Sequence, residues 1–156
     1  MYLRRAASWF RSLIALLAFM SVAHAADWPQ WRGPTRTGHS AADEKPLTIL
    51  PAEPRLLWRL KTGAGWASPV VAAGKVFYAD NQGGQETLHA VSATDGRELW
   101  RTNVDAVMHD EQGPDGPRGT PLAEGDRVYV QSCLGELQCR RVADGGLVWR
   151  TNYRSD

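Results

Sequence analysis

The sequence predicts an all-β protein made of repeated four-stranded antiparallel units. Three similar segments mark the ends of units, and their tryptophans are 42 and 49 residues apart: Trp58-Arg59, Trp100-Arg101-Thr102-Asn103 and Trp149-Arg150-Thr151-Asn152. No segment has a sustained helical period of 3.6 residues. A repeat of forty-odd residues has the length of one blade of a β-propeller, which is a four-stranded antiparallel sheet.

The two units between these ends are equally spaced inside their hairpins and unequally spaced between them. The interval from Pro69 to Val76 is seven residues long, as is that from Pro121 to Val128. The interval from Leu88 to Trp100 is twelve residues long, as is that from Leu137 to Trp149. The differences in length fall between Tyr78 and Leu88 and between Trp100 and Thr120. This distribution is typical of a repeat whose loops vary while its strands do not.

Each unit divides into four predicted strands, A to D. In the first unit they are Pro69–Ala72, Lys75–Ala79, Leu88–Ser92 and Glu98–Asn103. In the second unit they are Pro121–Ala123, Arg127–Gln131, Leu137–Arg141 and Leu147–Asn152. Asp95-Gly96 and Asp144-Gly145 precede the two D strands, and Asp-Gly between apolar runs is a strong hairpin signal. The consecutive apolar residues Val76, Phe77 and Tyr78 predict a sheet that is buried on both faces.

The composition excludes several classes of protein. The chain has 156 residues, of which 43% are hydrophobic and 22% are charged, so it is not collagen, a coiled coil or a disordered charged tail. Its formal net charge is +1, and Arg4, Arg5 and Arg11 lie in the first 25 residues. The remainder is therefore nearly neutral, which predicts no nucleic-acid partner, because such proteins cluster Lys and Arg.

The first 25 residues have the layout of a secretory signal peptide. A basic start with Arg4-Arg5 is followed by the apolar run from Leu13 to Val22 and by Ala23-His24-Ala25, which suits cleavage after Ala25. The run is too short to span a bilayer as a helix. We therefore expect export to the periplasm or the medium and no membrane span after cleavage. Residues 26–54 are then an extended N-terminal segment before the repeats at 55–156.

The repeats resemble those of the pyrroloquinoline-quinone (PQQ) β-propellers. Their tryptophan-docking motif is a small residue, a glycine six residues later and a tryptophan four residues after that, which Ala90, Gly96 and Trp100 match. Cys139, Gly145 and Trp149 match it with Cys as the small residue. The resemblance implies that Trp100 and Trp149 seal adjacent blades, and truncation of either to Ala is expected to cost ~3–5 kcal/mol.

The resemblance also implies a quinoprotein-like β-propeller of about eight blades. Residues 59–100 and 101–149 supply two blades, and Leu56–Leu60 is expected to be one extra outermost strand. The predicted fold is therefore an incomplete propeller, either a fragment of a longer protein or a truncated product. Two isolated blades would expose apolar faces and strand edges, so we expect association or aggregation.

Both length differences between the units lie on one predicted face of the propeller, formed by the B–C and D–A loops. Gln82 to Glu86 is expected to be a B–C loop with three extra residues, and Asp105 to Arg118 a D–A loop with ten. This face could hold a protein or small ligand, or it could simply be where extra length is tolerated. The weak candidates for binding a cofactor are His109, Asp110, Glu111 and Arg118.

The two cysteines are predicted to be unpaired. With Leu134-Gly135 as the tip of a hairpin, Cys133 lies opposite Glu136 and Cys139 lies opposite Val130. Their side chains then project from opposite faces, three residue pairs apart, which is too far for a disulfide.

Three functions remain open from the sequence. The first is an exported, non-catalytic binding or scaffold module. The second is the N-terminal part of a PQQ-dependent alcohol or sugar dehydrogenase, for which the resemblance implies PQQ, a Ca²⁺ ion and an Asp base, and in many members a Cys-Cys pair that this chain lacks. The third is a truncated product without activity. No nucleophile–base pair is visible, so no catalytic or metal-binding residue is assigned.

Overall fold

The chain folds into two four-stranded antiparallel sheets. The computed structural model describes residues 27–40, 49, 51–109 and 111–155. The strands of the first sheet are β1 (Val70–Ala72), β2 (Lys75–Gln82), β3 (Gln85–Ser92) and β4 (Glu98–Ala106). Those of the second sheet are β5 (Leu122–Glu124), β6 (Arg127–Gln131), β7 (Glu136–Arg141) and β8 (Leu147–Asn152). Strand order follows chain order in both sheets, which confirms the predicted all-β fold. The predicted signal peptide lies outside the described residues.

The turn between β2 and β3 differs from the predicted five-residue loop. Gln82 pairs with Gln85, and only Gly83 and Gly84 connect the strands. Both glycines have left-handed backbones, with φ of 62° and 88°, as the two residues of a type I′ hairpin turn require. The extra residues of the first unit therefore lengthen two strands instead of a loop, and that part of the loop prediction was wrong.

Strand β3 is buried on both faces, whereas in β2 only Phe77 of the three consecutive apolar residues is buried and Val76 and Tyr78 are half-buried. The six residues from Glu86 to Val91 in β3 are all buried. Phe77 and Leu88 are fully excluded from solvent in the first sheet, as is Val128 in the second. Burial of this kind requires a cover on each face of the sheet, which a stack of sheets provides.

The hairpin that carries the two cysteines has a different register from the predicted one. Cys139 pairs with Tyr129, not with Val130. Ser132 donates its N–H to the carbonyl of Glu136 over 2.8 Å, so the tip has three residues, 133–135, rather than two. Gly135 has φ of 101°, and a three-residue loop ending in a left-handed residue is a common hairpin connection. Both thiols are free.

The N-terminal segment links the first strands of the two sheets. Trp28 and Val71 of β1 exchange two backbone hydrogen bonds, with N···O distances of 2.7 and 2.9 Å. The next residue, Pro29, accepts a hydrogen bond of 2.8 Å from the N–H of Ala123 in β5. The segment thus satisfies backbone groups of both first strands, which would otherwise be unpaired edges.

Candidate functional site

Trp58 covers a glycine of the first sheet. An ideal Cβ on Gly96 would lie 2.8 Å from Cδ2 of the Trp58 ring, so the ring rests directly on the glycine backbone. The indole Nε1–H donates a hydrogen bond of 3.0 Å to the carbonyl of Ala93. Gly96 has φ of 70°, a conformation that also favours glycine at this turn.

Trp100 repeats this arrangement on the second sheet. A Cβ on Gly145 would lie 2.6 Å from Cε3 of Trp100, and the indole Nε1–H donates 3.1 Å to the carbonyl of Val142. Gly145 has φ of 71°. In both cases the acceptor carbonyl precedes the glycine by three residues, so each tryptophan is held by the turn of the following unit.

The small residue of each motif lies opposite the tryptophan of the same sheet. Ala90 pairs across the sheet with Trp100, and Cys139 pairs across the sheet with Trp149. Both small residues are buried, with exposures of 0% and 1%. The sequence motif therefore combines a contact within one sheet, between the small residue and the tryptophan, with a glycine that receives the tryptophan of the preceding unit.

Trp149 does not have the environment expected from the motif. Its side chain is 42% exposed, and Leu147 and Val148 beside it are exposed to a similar degree. It contacts Tyr129 of its own sheet, with ring centroids 6.1 Å apart. No further unit among the described residues covers it, so the sealing role of Trp149 between blades stays a prediction.

The long connection between the sheets, residues 107–121, is fixed to its surroundings. The carbonyl of Pro117 accepts hydrogen bonds from the N–H groups of Trp66 and Ala67, at 2.8 and 3.1 Å. The carbonyl of Asp115 accepts one of 3.0 Å from Asn81 Nδ2. Pro117 is almost completely buried. The described part of this connection around residues 115–117 is therefore held in place rather than loose.

The predicted candidate residues lie on this connection in different surroundings. His109 is exposed, and its Nδ1 lies 3.0 Å from both carboxylate oxygens of Asp115, a residue that the sequence did not single out. Glu111 is exposed, Arg118 is half-buried, and Asp110 lies outside the described residues. A role of these residues in binding a cofactor stays a prediction.

Two acidic side chains join the sheets beneath the connection. Asp105 of β4 accepts a hydrogen bond of 2.7 Å from the hydroxyl of Ser132. Glu86 of β3 accepts one of 3.2 Å from the N–H of Cys133 through Oε1. Ser132 and Cys133 belong to the β6–β7 turn, so each acid bridges the first sheet to the second.

Glu86 is 1% exposed, and its Oε2 has no hydrogen-bond partner among the described residues. Burial raises the pKa of Glu86; Asp105 adds to the rise, while hydrogen bonds from Cys133 and the charge of Arg118 oppose it. Burial also raises the pKa of the Cys133 thiol, with Glu86 contributing, which favours the less nucleophilic thiol form.

This geometry predicts that Glu86→Gln stabilises the protein at pH 8 by roughly 1 kcal/mol, because an amide avoids burial of an unpaired charged oxygen. The folded-state pKa lies above the unfolded value, so the contribution of Glu86 is fully present below the unfolded pKa and is lost as pH rises through the folded pKa. Urea unfolding at pH 4 and pH 8 measures it. The exposed Glu124→Gln is the control, and equal pH dependence in both variants would contradict the assignment.

A second polar cluster is buried within the first sheet. His89 is 2% exposed, and its Nε2 and Nδ1 lie 3.0 Å from Asp80 and 3.1 Å from Glu98. Asp80 also accepts hydrogen bonds from the N–H of Gly63 and from Gln82. Tyr78 stacks on the imidazole at 4.6 Å. His89 is therefore packed inside the first sheet. The sequence did not predict the contacts of His89 with Asp80 and Glu98, because only the pairing of the strands brings these side chains together.

The described residues do not fit a calcium-dependent quinone site. Ca²⁺ requires six to eight oxygen ligands, several of them carboxylates. No group of three or more His, Cys, Asp or Glu side chains in the described part of the chain is arranged to hold a metal ion. We therefore derive no reaction step through PQQ or Ca²⁺.

Comparison with known proteins identifies the family. The PQQ_2 family model, described as outer membrane protein assembly factor BamB, matches residues 48–156. The chain belongs to this family. The match includes both sheets and the segment that carries Trp58, whereas the N-terminal residues that link the sheet edges precede it. No curated protein matches the chain.

Three solved structures are similar to parts of this PQQ_2 chain. Quinohemoprotein alcohol dehydrogenase from Comamonas testosteroni is 22% identical over 60% of the chain, with a TM-score of 0.46. A europium-containing methanol dehydrogenase is 17% identical over 63%, also with a TM-score of 0.46. BamB from Moraxella catarrhalis is 16% identical over 63%, with a TM-score of 0.28. The matches cover 14%, 18% and 40% of those chains.

Proposed function

We propose that this PQQ_2 chain is part of an exported propeller-like repeat protein that acts as a binding or scaffold module without catalysis of its own. The ordered connection between the sheets is the observation that carries this proposal. It presents an exposed surface on a backbone fixed by hydrogen bonds to β2 and to the segment before β1. A surface that is already ordered binds with a smaller loss of conformational entropy.

Trp66 is the strongest candidate for a contact residue on this surface. Its indole lies against Gly113, where a Cβ would be 2.8 Å from Cζ2, and it nevertheless remains 60% exposed. Aromatic side chains are enriched among residues that dominate the energy of interfaces. His109 and Glu111 are exposed on the same connection and would contribute polar contacts around it.

A non-catalytic role is supported by how four carboxylates of the two clusters are used. Asp105 and Glu86 bond to the second sheet, and Asp80 and Glu98 bond to His89. In these contacts the carboxylates hold strands together by hydrogen bonds. A general base instead has to reach a substrate proton within hydrogen-bond distance.

The dehydrogenase alternative is tested with the full chain, PQQ, Ca²⁺ and a reducible dye. We expect no dye reduction with primary alcohols or aldose sugars above the rate of the same mixture without protein. Reduction that requires protein, PQQ and alcohol together would replace the proposal with the dehydrogenase function.

Export is a separate part of the proposal. We propose that residues 1–25 form the signal peptide, residues 26–54 the N-terminal segment and residues 55–156 the repeats, with blades at 59–100 and 101–149. No helix among the described residues is long and apolar enough to cross a membrane. We expect the exported product to begin at Ala26. Its intact mass measures the cleavage position, and retention of residues 1–25 in the exported protein would contradict this assignment.

A further inference from the structure

A cleft of about 290 Å³ lies where the N-terminal segment meets the second sheet. The N-terminal segment supplies half of its walls, and the end of the long connection with the start of β5 supplies the other half: Gln30, Trp31, Arg36, Thr120, Pro121 and Leu122. None of these residues is among the site candidates from the sequence. The three N-terminal ones also precede the part of the chain that matches the family model.

The turn that forms one wall is strained and held in place by its own hydrogen bonds. Arg32 and Arg36 have φ of 61° and 59°, in the left-handed region that residues with side chains rarely adopt. The Arg32 guanidinium donates to the carbonyl of Thr37 over 3.1 Å, and Arg36 Nε donates to the side-chain oxygen of Gln30 over 3.0 Å. Strained backbone of this kind persists only where its surroundings enforce it, and it is concentrated at binding sites.

An aromatic ring and two cations meet at this turn. Trp31 is 60% exposed although it lines the cleft, and the Arg32 guanidinium lies 5.4 Å from the centre of its ring. Neither Arg32 nor Arg36 forms an ion pair with a carboxylate among the described residues. Arginine presents a planar set of N–H donors that suits a carboxylate. The cleft therefore combines a ring face for stacking with positive charge that is available to an anion.

We propose that this cleft binds an acidic saccharide, with a sugar ring on the face of Trp31 and its carboxylate on Arg36. The proposal rests on the binding role proposed above and names a ligand class for it. The shape of the site favours a sugar over an aromatic acid. A ligand that is apolar on both faces gains most from an enclosed pocket, whereas this cleft is open and offers one ring face. Hydroxyl groups on the outer side of a sugar can remain in water.

The cleft also has polar groups suited to sugar hydroxyls. The Thr120 hydroxyl oxygen accepts a hydrogen bond of 3.3 Å from the N–H of Ser68, a contact that uses a lone pair and not the O–H. The Gln30 side-chain N–H₂ donates to the carbonyl of Pro34 over 3.0 Å. These hydrogen bonds hold the Thr120 oxygen and the Gln30 amide in place, and positioned polar groups beside an apolar wall are the usual source of specificity in ligand sites.

The test is a calorimetric titration of the full chain with trigalacturonic acid and, as a matched uncharged ligand, with its methyl ester. We expect the acid to bind at least about tenfold more tightly than the ester, because only the acid can pair with Arg36. Added salt should weaken binding of the acid. The comparison of the two ligands uses the unaltered protein, so it does not depend on any variant folding.

Variants then locate the site. Trp31→Ala and Arg36→Gln should each weaken binding of trigalacturonic acid at least about tenfold, whereas Tyr153→Ala, which removes a similarly exposed aromatic side chain outside the cleft, should leave it unchanged. Equal binding of acid and ester, or equal effects of Trp31→Ala and Tyr153→Ala, would overturn the proposal. Tighter binding of 2-naphthoate than of the saccharide would overturn the ligand class. If the dye-reduction assay is negative and no saccharide binds, the saccharide proposal is refuted while the proposed non-catalytic role stands.

Discussion

Replacing Trp100 by Ala should lower the free energy of unfolding by about 3 kcal/mol, the low end of the range for large aromatic residues in cores. Trp100 packs against the buried core and lies 5.8 Å from Phe77 between ring centroids. It also rests on Gly145 and donates to Val142, so its removal opens a cavity between the sheets and leaves a carbonyl without its donor. Urea unfolding followed by circular dichroism measures the loss.

Trp149 provides a matched control for this prediction. It occupies the same position in the repeat and has a similar local sequence, but its side chain is 42% exposed. Trp149→Ala should therefore cost less than about 1 kcal/mol in a monomeric sample, as for most exposed positions. Equal losses for the two variants would contradict the view that contact with the following unit, rather than the repeat position, determines the contribution.

Replacing Gly145 by Ala should cost about 2–4 kcal/mol, for two reasons that add. A Cβ at this position would lie 2.6 Å from the Trp100 ring, so the indole must move, and such overpacking costs about 1–3 kcal/mol. The left-handed backbone at φ of 71° adds roughly 1 kcal/mol for a residue with a side chain. The same unfolding measurement applies, and quenching or a spectral shift of tryptophan fluorescence should accompany the loss.

Gly125→Ala separates these two effects. Gly125 has φ of 57°, but a Cβ there would meet nothing within 4 Å. This variant should therefore lose only the backbone contribution of roughly 1 kcal/mol. If Gly125→Ala and Gly145→Ala lose the same free energy, contact with the Trp100 ring contributes nothing, and the packing of the indole on Gly145 is not a source of stability.

Much of the sheet structure could be predicted from the sequence. Arg127–Gln131 and Leu147–Asn152 are strands with the predicted limits, and the Asp-Gly pairs form turns with left-handed glycines. These features depend on residues within a few positions of one another, where turn chemistry and apolar patterning act directly. The limits of the β2–β3 and β6–β7 turns were predicted wrongly. The spacing between landmarks in the sequence does not show whether an extra residue belongs to the loop or to the paired strands.

The candidate site depended on contacts that spacing does not reveal. The sequence singled out His109 and Arg118 by residue type, whereas the side chains that bridge the sheets are Glu86 and Asp105. Asp105 bonds to Ser132, which lies 27 residues later in the chain, and Glu86 bonds to Cys133, which lies 47 residues later. Similarly, the sequence of the N-terminal segment did not predict its pairing with β1 and β5. The unpaired backbone groups with which it bonds lie at sheet edges that exist only in the folded protein.

The sequence by itself determined the all-β class, the repeat and the family, because strand patterning and tight turns are encoded by neighbouring residues. Only the tertiary structure decided which tryptophan is covered, which acids are buried and where the N-terminal segment lies. Trp100 and Trp149 illustrate the difference, since nearly identical local sequences lie in different surroundings. Burial and hydrogen bonding between sheets depend on groups far apart in the chain, and only folding brings those groups together.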